Sequence, residues 1–282
     1  EFYVNDAGNQ IEKFGCSLEA RYLQIFKGDE IEFPEDGYQG EDIKDLAKEY
    51  ADLNGDSLVN VSAEERKKAL VDYALPKNIE KMQADMEKYK IFYDKWFFES
   101  ELHKSGAVKA VVDLLTEKGL TYEKEGAVWY KNKEVLTQKL LKEGKSQKYI
   151  DNLELKDDVL IRQNGNPTYF TADIAYHKNK FDRGFTTLID VWGADHHGHV
   201  MRMKGAMDAI GYDGDKLNVV LMQLVKLVKD GELVRMSKRT GKAIQLGDLL
   251  DEVPVDSARF LFNTKEANTQ MDFDLDLAVS QD

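Results

Sequence analysis

The sequence predicts an α/β fold, a doubly wound parallel sheet carrying a helix-rich insertion. Three observations lead there. Two apolar runs with β-branched residues, "FTTLIDVWGAD" (185–195) and "LNVVLMQLVKLV" (217–228), flank the amphipathic stretch "HHGHVMRMKGAMDAIG" (196–211). Strand–helix–strand alternation of that kind marks a parallel sheet, with ligands at the carboxyl ends of its strands. Second, the 282 residues are 42% hydrophobic, enough for one large domain with a subdomain or for two domains. Third, residues 30 to about 157 are dominated by charged, helix-periodic segments with one small β element, which reads as an insertion. The expected division is therefore 1–29 and 158–282 for the two parts of the framework, with 30–157 between them.

The elements follow in order. "EFYVNDAGNQI" (1–11) starts as a strand and passes into a polar turn that pivots on Gly8. "EARYLQIFKG" (19–28) is a short amphipathic helix, and a Gly/Pro/Asp-rich loop runs on to Gly40. "GEDIKDLAKEYAD" (40–52) spaces its apolar residues for a helix that stops at "LNGD". Ser62 to about His103 is a long, charged helical stretch interrupted once, at Pro76, and it includes the aromatic-dense "KYKIFYDKWFFESELHKSG" (88–106). "GAVKAVVDLLTEKG" (106–119) is a further helix, and "LTYEKEGAVWYK" (120–131) a hairpin around "EKEG".

The framework resumes at "DVLIRQNGNPTYF" (158–170), a strand, a turn at "NGNP" and a second strand. "TADIAYHKNKF" (171–181) is helical with Thr171 as its N-cap. The buried strand at 185–195, the helix closed by Gly211 and the buried strand at 217–228 come next. "LGDLLDEVPVDSARFLFNTK" (246–265) is helical again.

Composition narrows the functional classes. A formal net charge of −13 argues against nonspecific coating of nucleic acid or anionic membrane. No apolar run approaches the roughly 18 residues of a membrane span. The one cysteine, Cys16, fits a reducing, cytoplasmic setting. The chain opens at Glu1 and closes inside "DFDLDLAVSQD", and both ends read as cuts through a longer protein.

Against that acidic background, residues 222–242 carry six Lys or Arg and two acids. The densest part, "GELVRMSKRTGKAIQL" (231–246), holds Arg235, Lys238, Arg239 and Lys242 among Ser237, Thr240 and Gly241. A mobile loop that brings Lys238 onto phosphates supplies the electrostatic stabilisation that phosphoryl chemistry relies on. A solvated basic loop is the alternative. No GxxxxGK[ST] run is present, which excludes a P-loop enzyme.

Other stretches add polar groups. In "VWGADHHGH" (191–199) Gly193 lets backbone approach a ligand, Asp195 can accept a hydrogen bond from a ribose, and the helix start offers free amides. His196, His197 and His199 lack the i, i+4 pair of a zinc helix, so no metal site is assigned. "YFTADIAYH" (169–177) sets Tyr169 and Asp173 four apart, a spacing suited to a planar cation or to an ordinary solvated helix face. "NDAGNQ" (5–10) offers Asn5, Asp6 and Gln10, as a pocket lining or as a turn.

"RMSKR" (235–239) resembles the KMSKS loop of class I aminoacyl-tRNA synthetases. "NDAGNQI", "YDKWFFESELHKSG", "YFTADIAYHKNKF", "DVWGADHHGHV", "RMSKRTG" and "MDFDLDLA" (271–278) resemble, in order and spacing, the arginyl-tRNA synthetase family across essentially the whole chain.

The resemblance implies a Rossmann-type nucleotide-binding fold and a cytoplasmic arginine–tRNA ligase, monomeric and membrane-free, whose partners are L-arginine, ATP with its Mg2+, and tRNA(Arg). Tyr169 and Asp173 would hold the arginine guanidinium, with His196 as a further contact and Asn5, Asp6 and Gln10 in support. Gly193 and Asp195 would face the adenosine ribose. Arg235, Ser237 and Lys238 would form the phosphate clamp, with Arg235 standing where the family has lysine. The family's HxGH motif, expected a few tens of residues before residue 1, is absent from these residues, as is the anticodon-binding domain expected after residue 282. A cysteinyl enzyme is disfavoured by the single cysteine, and a noncatalytic RNA- or protein-binding fragment is the rival of another class.

Overall fold

The computed structural model describes residues 1–234 and 244–280. In chain order the elements are β1 (Phe2–Val4), α1 (Gly8–Lys27), α2 (Glu41–Asn54), α3 (Ala63–Lys88), β2 (Trp96–Phe98), α4 (Glu99–Lys104), α5 (Ala107–Glu117), β3 (Thr121–Lys124) and β4 (Ala127–Tyr130). Then come α6 (Asn132–Lys142), α7 (Gln147–Asp151), β5 (Asp158–Ile161), α8 (Tyr169–Asp182), β6 (Leu188–Gly193), α9 (His197–Ile210), β7 (Leu217–Met222), β8 (Val225–Lys229) and β9 (Glu232–Val234). The chain closes with α10 (Leu246–Glu252), α11 (Val255–Phe262), β10 (Met271–Asp274) and α12 (Leu275–Val279). Contacts divide it into two compact units, one of Glu1–Phe98, Lys226–Thr264 and Asp272–Asp282, the other of Glu99–Val225 and Lys265–Met271.

The first unit is built on three helices. Phe14, Leu18 and Tyr22 of α1, Ile43, Leu46, Ala47 and Ala51 of α2, and Leu70 and Ala74 of α3 form one apolar cluster with Leu58. Each helix buries the stripe that its i, i+3, i+4 spacing creates. Arg66 sits at the edge of this cluster and uses its whole fork. Nε donates to the Leu58 carbonyl at 2.7 Å, Nη2 to the Val61 carbonyl at 2.7 Å, and Nη1 to Glu19 at 2.6 Å. A buried cation with that many acceptors ties the 58–61 loop to α1.

Three expectations for this region are corrected. The first helix begins at Gly8, so Gln10 is helical and the "NDAGNQ" turn shrinks to residues 5–7. Pro76 lies inside α3 without ending it. A proline removes one i→i−4 bond, and the burial of Leu70, Ala74 and Ile79 on the same helix outweighs that loss. "KWFF" is not helical: Trp96–Phe98 pairs in parallel with Phe2–Val4, and Phe2 meets the Trp96 ring at 4.6 Å.

In the second unit, β3, β4 and β5 form an antiparallel sheet whose first turn is the hairpin at "EKEG". β6 and β7 run parallel in register from Leu188 with Leu217 to Gly193 with Met222, joined through α9, and Gly211 closes α9 in a left-handed conformation. This β6–α9–β7 unit is the expected alternation, and the fold class is α/β. The pleat turns Leu188 and Asp190 inward and leaves Ile189 and Val191 exposed on the other face, so the strand is covered on one side.

Here too the structure differs from expectation. "LNVVLMQLVKLV" makes two strands, because pairing with β6 ends at Met222 and β8 joins a separate sheet of order β10–β8–β9. The second strand expected after "NGNP" reduces to a single bridge between Ile161 and Pro167. α8 starts at Tyr169 with Thr168 at the N-cap position, not Thr171. Both threonine hydroxyls serve β5 instead, Thr168 donating to the Val159 carbonyl at 2.7 Å and Thr171 to the Leu160 carbonyl at 2.8 Å. Among the described residues no helix is long and apolar enough to cross a membrane.

Candidate active site

The two threonine clips fix the start of α8 against β5 and decide what the helix shows. Phe170 and Ile174 are buried, while Tyr169 stays 45% exposed. Asp173 follows one turn later on the same face, its side chain 35% exposed. The sequence spacing therefore becomes a phenol and a carboxylate side by side on an accessible helix face.

Asp173 is held from two sides. Its carboxylate oxygen Oδ2 lies 3.0 Å from His199 Nε2, on α9. Its main-chain carbonyl accepts from His177 Nδ1 at 2.7 Å. His177 Nε2 in turn reaches Asp190 Oδ2 at 2.5 Å, and Lys180 Nζ reaches Asp190 Oδ1 at 2.6 Å. His177, Lys180 and Asp190 are all buried. Burial alone would raise the Asp190 carboxyl, but the hydrogen bonds and charges of His177 and Lys180 win and hold it at about 2.

An aromatic wall stands beside this chain at the carboxyl end of β6. Trp192 lies 6.0 Å from His177 and 5.3 Å from His199, and Phe170 lies 5.6 Å edge-on from His199. The Arg202 guanidinium covers Phe170 at 4.7 Å and forks onto Asp158 at 3.0 and 2.5 Å. Burial pushes the Asp158 carboxyl up, and Arg202 opposes it.

Gly193 ends β6 and leads into the short 3-10 turn Ala194–His196. A Cβ on Gly193 would stand 2.5 Å from Asp195 Oδ1, so this position has no room for a side chain while Asp195 keeps its place. Asp195 and His196 are exposed, with His196 Nε2 3.7 Å from Asp195 Oδ2. His196, whose side chain is 58% exposed, therefore neighbours Asp195, while the contact to Asp173 comes from His199.

The other expected site residues belong to other segments of the chain. Asn5 and Asp6 follow β1 in the first unit, where the Asp6 amide donates to the Val4 carbonyl at 3.0 Å. Gln10, in the first turn of α1, accepts from the Tyr38 hydroxyl. Arg235, Ser237 and Lys238, the expected clamp, lie outside the described residues. The links of His177 and His199 to Asp173, and of Asp190 and Trp192 to those histidines, were not legible in the sequence. Only a partial signal was present, since a charged Asp190 inside an apolar strand predicts a buried cation partner. Among the described residues no group of three His, Cys, Asp or Glu side chains is placed to hold a metal ion.

The family described as tRNA synthetases class I (R), catalytic domain, matches residues 25–281. An arginine–tRNA ligase of Ruminiclostridium cellulolyticum is 56% identical over 283 residues, and one of Caldanaerobacter subterraneus is 57% identical over 282. Both alignments cover 100% of this chain and 47% of the relative, so the chain spans about half the length of the curated relatives it matches. A Campylobacter jejuni crystal structure assigned as an arginyl-tRNA synthetase superposes with a TM-score of 0.82 at 36% identity, covering 99% of this chain and 57% of that one. The chain belongs to the class I tRNA synthetase (R) catalytic-domain family.

Proposed function

We propose that the protein carrying this chain is an arginine–tRNA ligase. It activates arginine with ATP and transfers the arginyl group to the 2′-hydroxyl of the terminal adenosine of tRNA(Arg). The observation that carries the reading is the pairing of Tyr169 and Asp173 on one open face of α8, in a chain 56% and 57% identical to two curated relatives that carry that name. A carboxylate beside a phenol suits a planar guanidinium, because Asp accepts a bidentate fork and the ring adds a face or a hydroxyl.

The residue roles follow from this proposal. Asp173 and Tyr169 hold the guanidinium, and His196 supplies a further polar contact. Asn5, Asp6 and Gln10 take a supporting role toward arginine. Gly193 and Asp195 face the adenosine ribose, where a bare backbone and an exposed carboxylate suit a hydroxyl-rich ligand. Lys238, with Arg235 and Ser237, neutralises the ATP phosphates. Mg2+ arrives as part of the Mg-ATP substrate.

The chemistry needs no protein nucleophile. The arginine carboxylate oxygen attacks the α-phosphorus of ATP, the bond to pyrophosphate breaks, and arginyl-adenylate forms. The tRNA 2′-hydroxyl then attacks the arginyl carbonyl and releases AMP. Positioning and charge neutralisation carry both steps. The proposal extends to a cytoplasmic, monomeric protein, and to residues 30–157 as the insertion between 1–29 and 158–282.

Arginine-dependent exchange of labelled pyrophosphate into ATP tests the reading. The assay uses the chain in its full-length context, with tRNA(Arg) added. Exchange driven by arginine and by no other standard amino acid is the expected result. Exchange driven equally by lysine or glutamine, or none in the presence of all three substrates, would overturn it.

A further inference from the structure

We propose that His199 is the positioning residue for the Asp173 carboxylate, an inference that rests on the reading of Asp173 as the guanidinium site. Three observations point to it. His199 Nε2 lies 3.0 Å from Asp173 Oδ2, and among the described residues the other carboxylate oxygen takes no hydrogen bond. The His199 side chain is 16% exposed, with Trp192 at 5.3 Å and Phe170 edge-on at 5.6 Å, so its own ring is held by packing. The backbone under Asp173 is anchored separately, through His177 Nδ1 on the Asp173 carbonyl and the buried Asp190 beyond it.

The physical need is orientation. The terminal torsion of an aspartate is broad and two-fold, so an unheld carboxylate samples many planes. A bidentate guanidinium demands one of them. An N–H from His199 to Oδ2 selects a plane and leaves Oδ1, with the second lone pair of Oδ2, for the ligand. His199 therefore acts through Asp173 and touches no reacting atom. Of the histidines in "HHGH", it is the one that the α8–α9 packing delivers to that carboxylate, while His196 sits exposed beside Asp195.

Two variants in the full-length context separate this role from simple packing. His199→Phe keeps an aromatic ring and removes the donor; His199→Gln returns an amide N–H near the Nε2 position. In arginine-dependent pyrophosphate exchange, His199→Phe is expected to raise the arginine KM about 5- to 20-fold with the ATP KM changed less than about twofold, and His199→Gln to recover most of the loss. An unchanged arginine KM in His199→Phe would overturn the proposal. So would arginine and ATP KM values that rise together without recovery in His199→Gln. Asp173→Asn, measured alongside, keeps the two readings apart. If it leaves the arginine KM intact, the site assignment itself fails; if it raises that KM and His199→Phe does not, only the role of His199 falls.

Discussion

Asp190 and Asp173 are two links of one hydrogen-bond chain joined by the His177 ring, yet their surroundings differ sharply. Asp190 is sealed beneath β6, with Lys180 on one oxygen and His177 on the other. Asp173 is one-third exposed and keeps one oxygen without a hydrogen bond among the described residues. The same functional group thus serves structure where each oxygen holds a buried partner, and leaves an acceptor open at Asp173, where recognition is proposed. A filled carboxylate cannot accept a ligand's fork, and a half-filled one is costly to bury.

The contrast can be broken most severely at its closed end. Asp190→Ala leaves Lys180 and His177 buried without their acceptor, and is expected to cost about 3–5 kcal/mol of stability by urea unfolding. Asp173→Asn is expected to cost under about 1 kcal/mol in the same experiment, because solvent replaces what is lost. Equal costs at the two positions would contradict the division of roles.

The helical unit offers a second closed charge for calibration. Arg66→Met strands the carbonyls of Leu58 and Val61 and the Glu19 carboxylate, and about 2–4 kcal/mol of stability should go with them. Glu19 keeps partial solvent access, which places the effect below that of Asp190.

A pH series sharpens the same comparison. Asp190 is held at about 2, below its ordinary 3.8, so the folded state favours its ionised form. Its contribution, about 2 kcal/mol, is complete above pH 4 and is lost as pH falls through about 2. Unfolding measured from pH 5 to pH 2 should show that loss in the parent protein and a flatter profile in Asp190→Asn. The smallest effect on binding is expected from Tyr169→Phe, which keeps the exposed ring and removes the hydroxyl. About 1 kcal/mol of arginine affinity, or five- to tenfold in Kd by calorimetry, is the expected loss.

Legibility from sequence follows how local each feature is. The β6 strand, the α9 helix with its Gly211 stop, and the "EKEG" hairpin were readable because their causes lie within a dozen residues. The strand at Trp96–Phe98 was not, since three aromatics inside a helix-like stretch become a strand only by pairing with Phe2–Val4, some ninety residues away. Pro76 misled for a similar reason, as tertiary burial of α3 overrides a local breaker. At the candidate site, the shared α8 face of Tyr169 and Asp173 could be read from their spacing. His199 could not, because its link to Asp173 spans 26 residues and depends on how α8 meets α9. Thr171 shows the limit of capping rules, its hydroxyl being taken by the Leu160 carbonyl.

Asp173 is proposed to read the positive charge of arginine. Calorimetric titration with arginine and with citrulline, on the parent chain in its full-length context and on Asp173→Asn, tests it directly, because citrulline keeps the shape and lacks the charge. Arginine binding that citrulline fails to match is expected, with about 2–4 kcal/mol of it lost in Asp173→Asn. Equal binding of the two ligands by the parent protein, or arginine affinity untouched by the substitution, would contradict it.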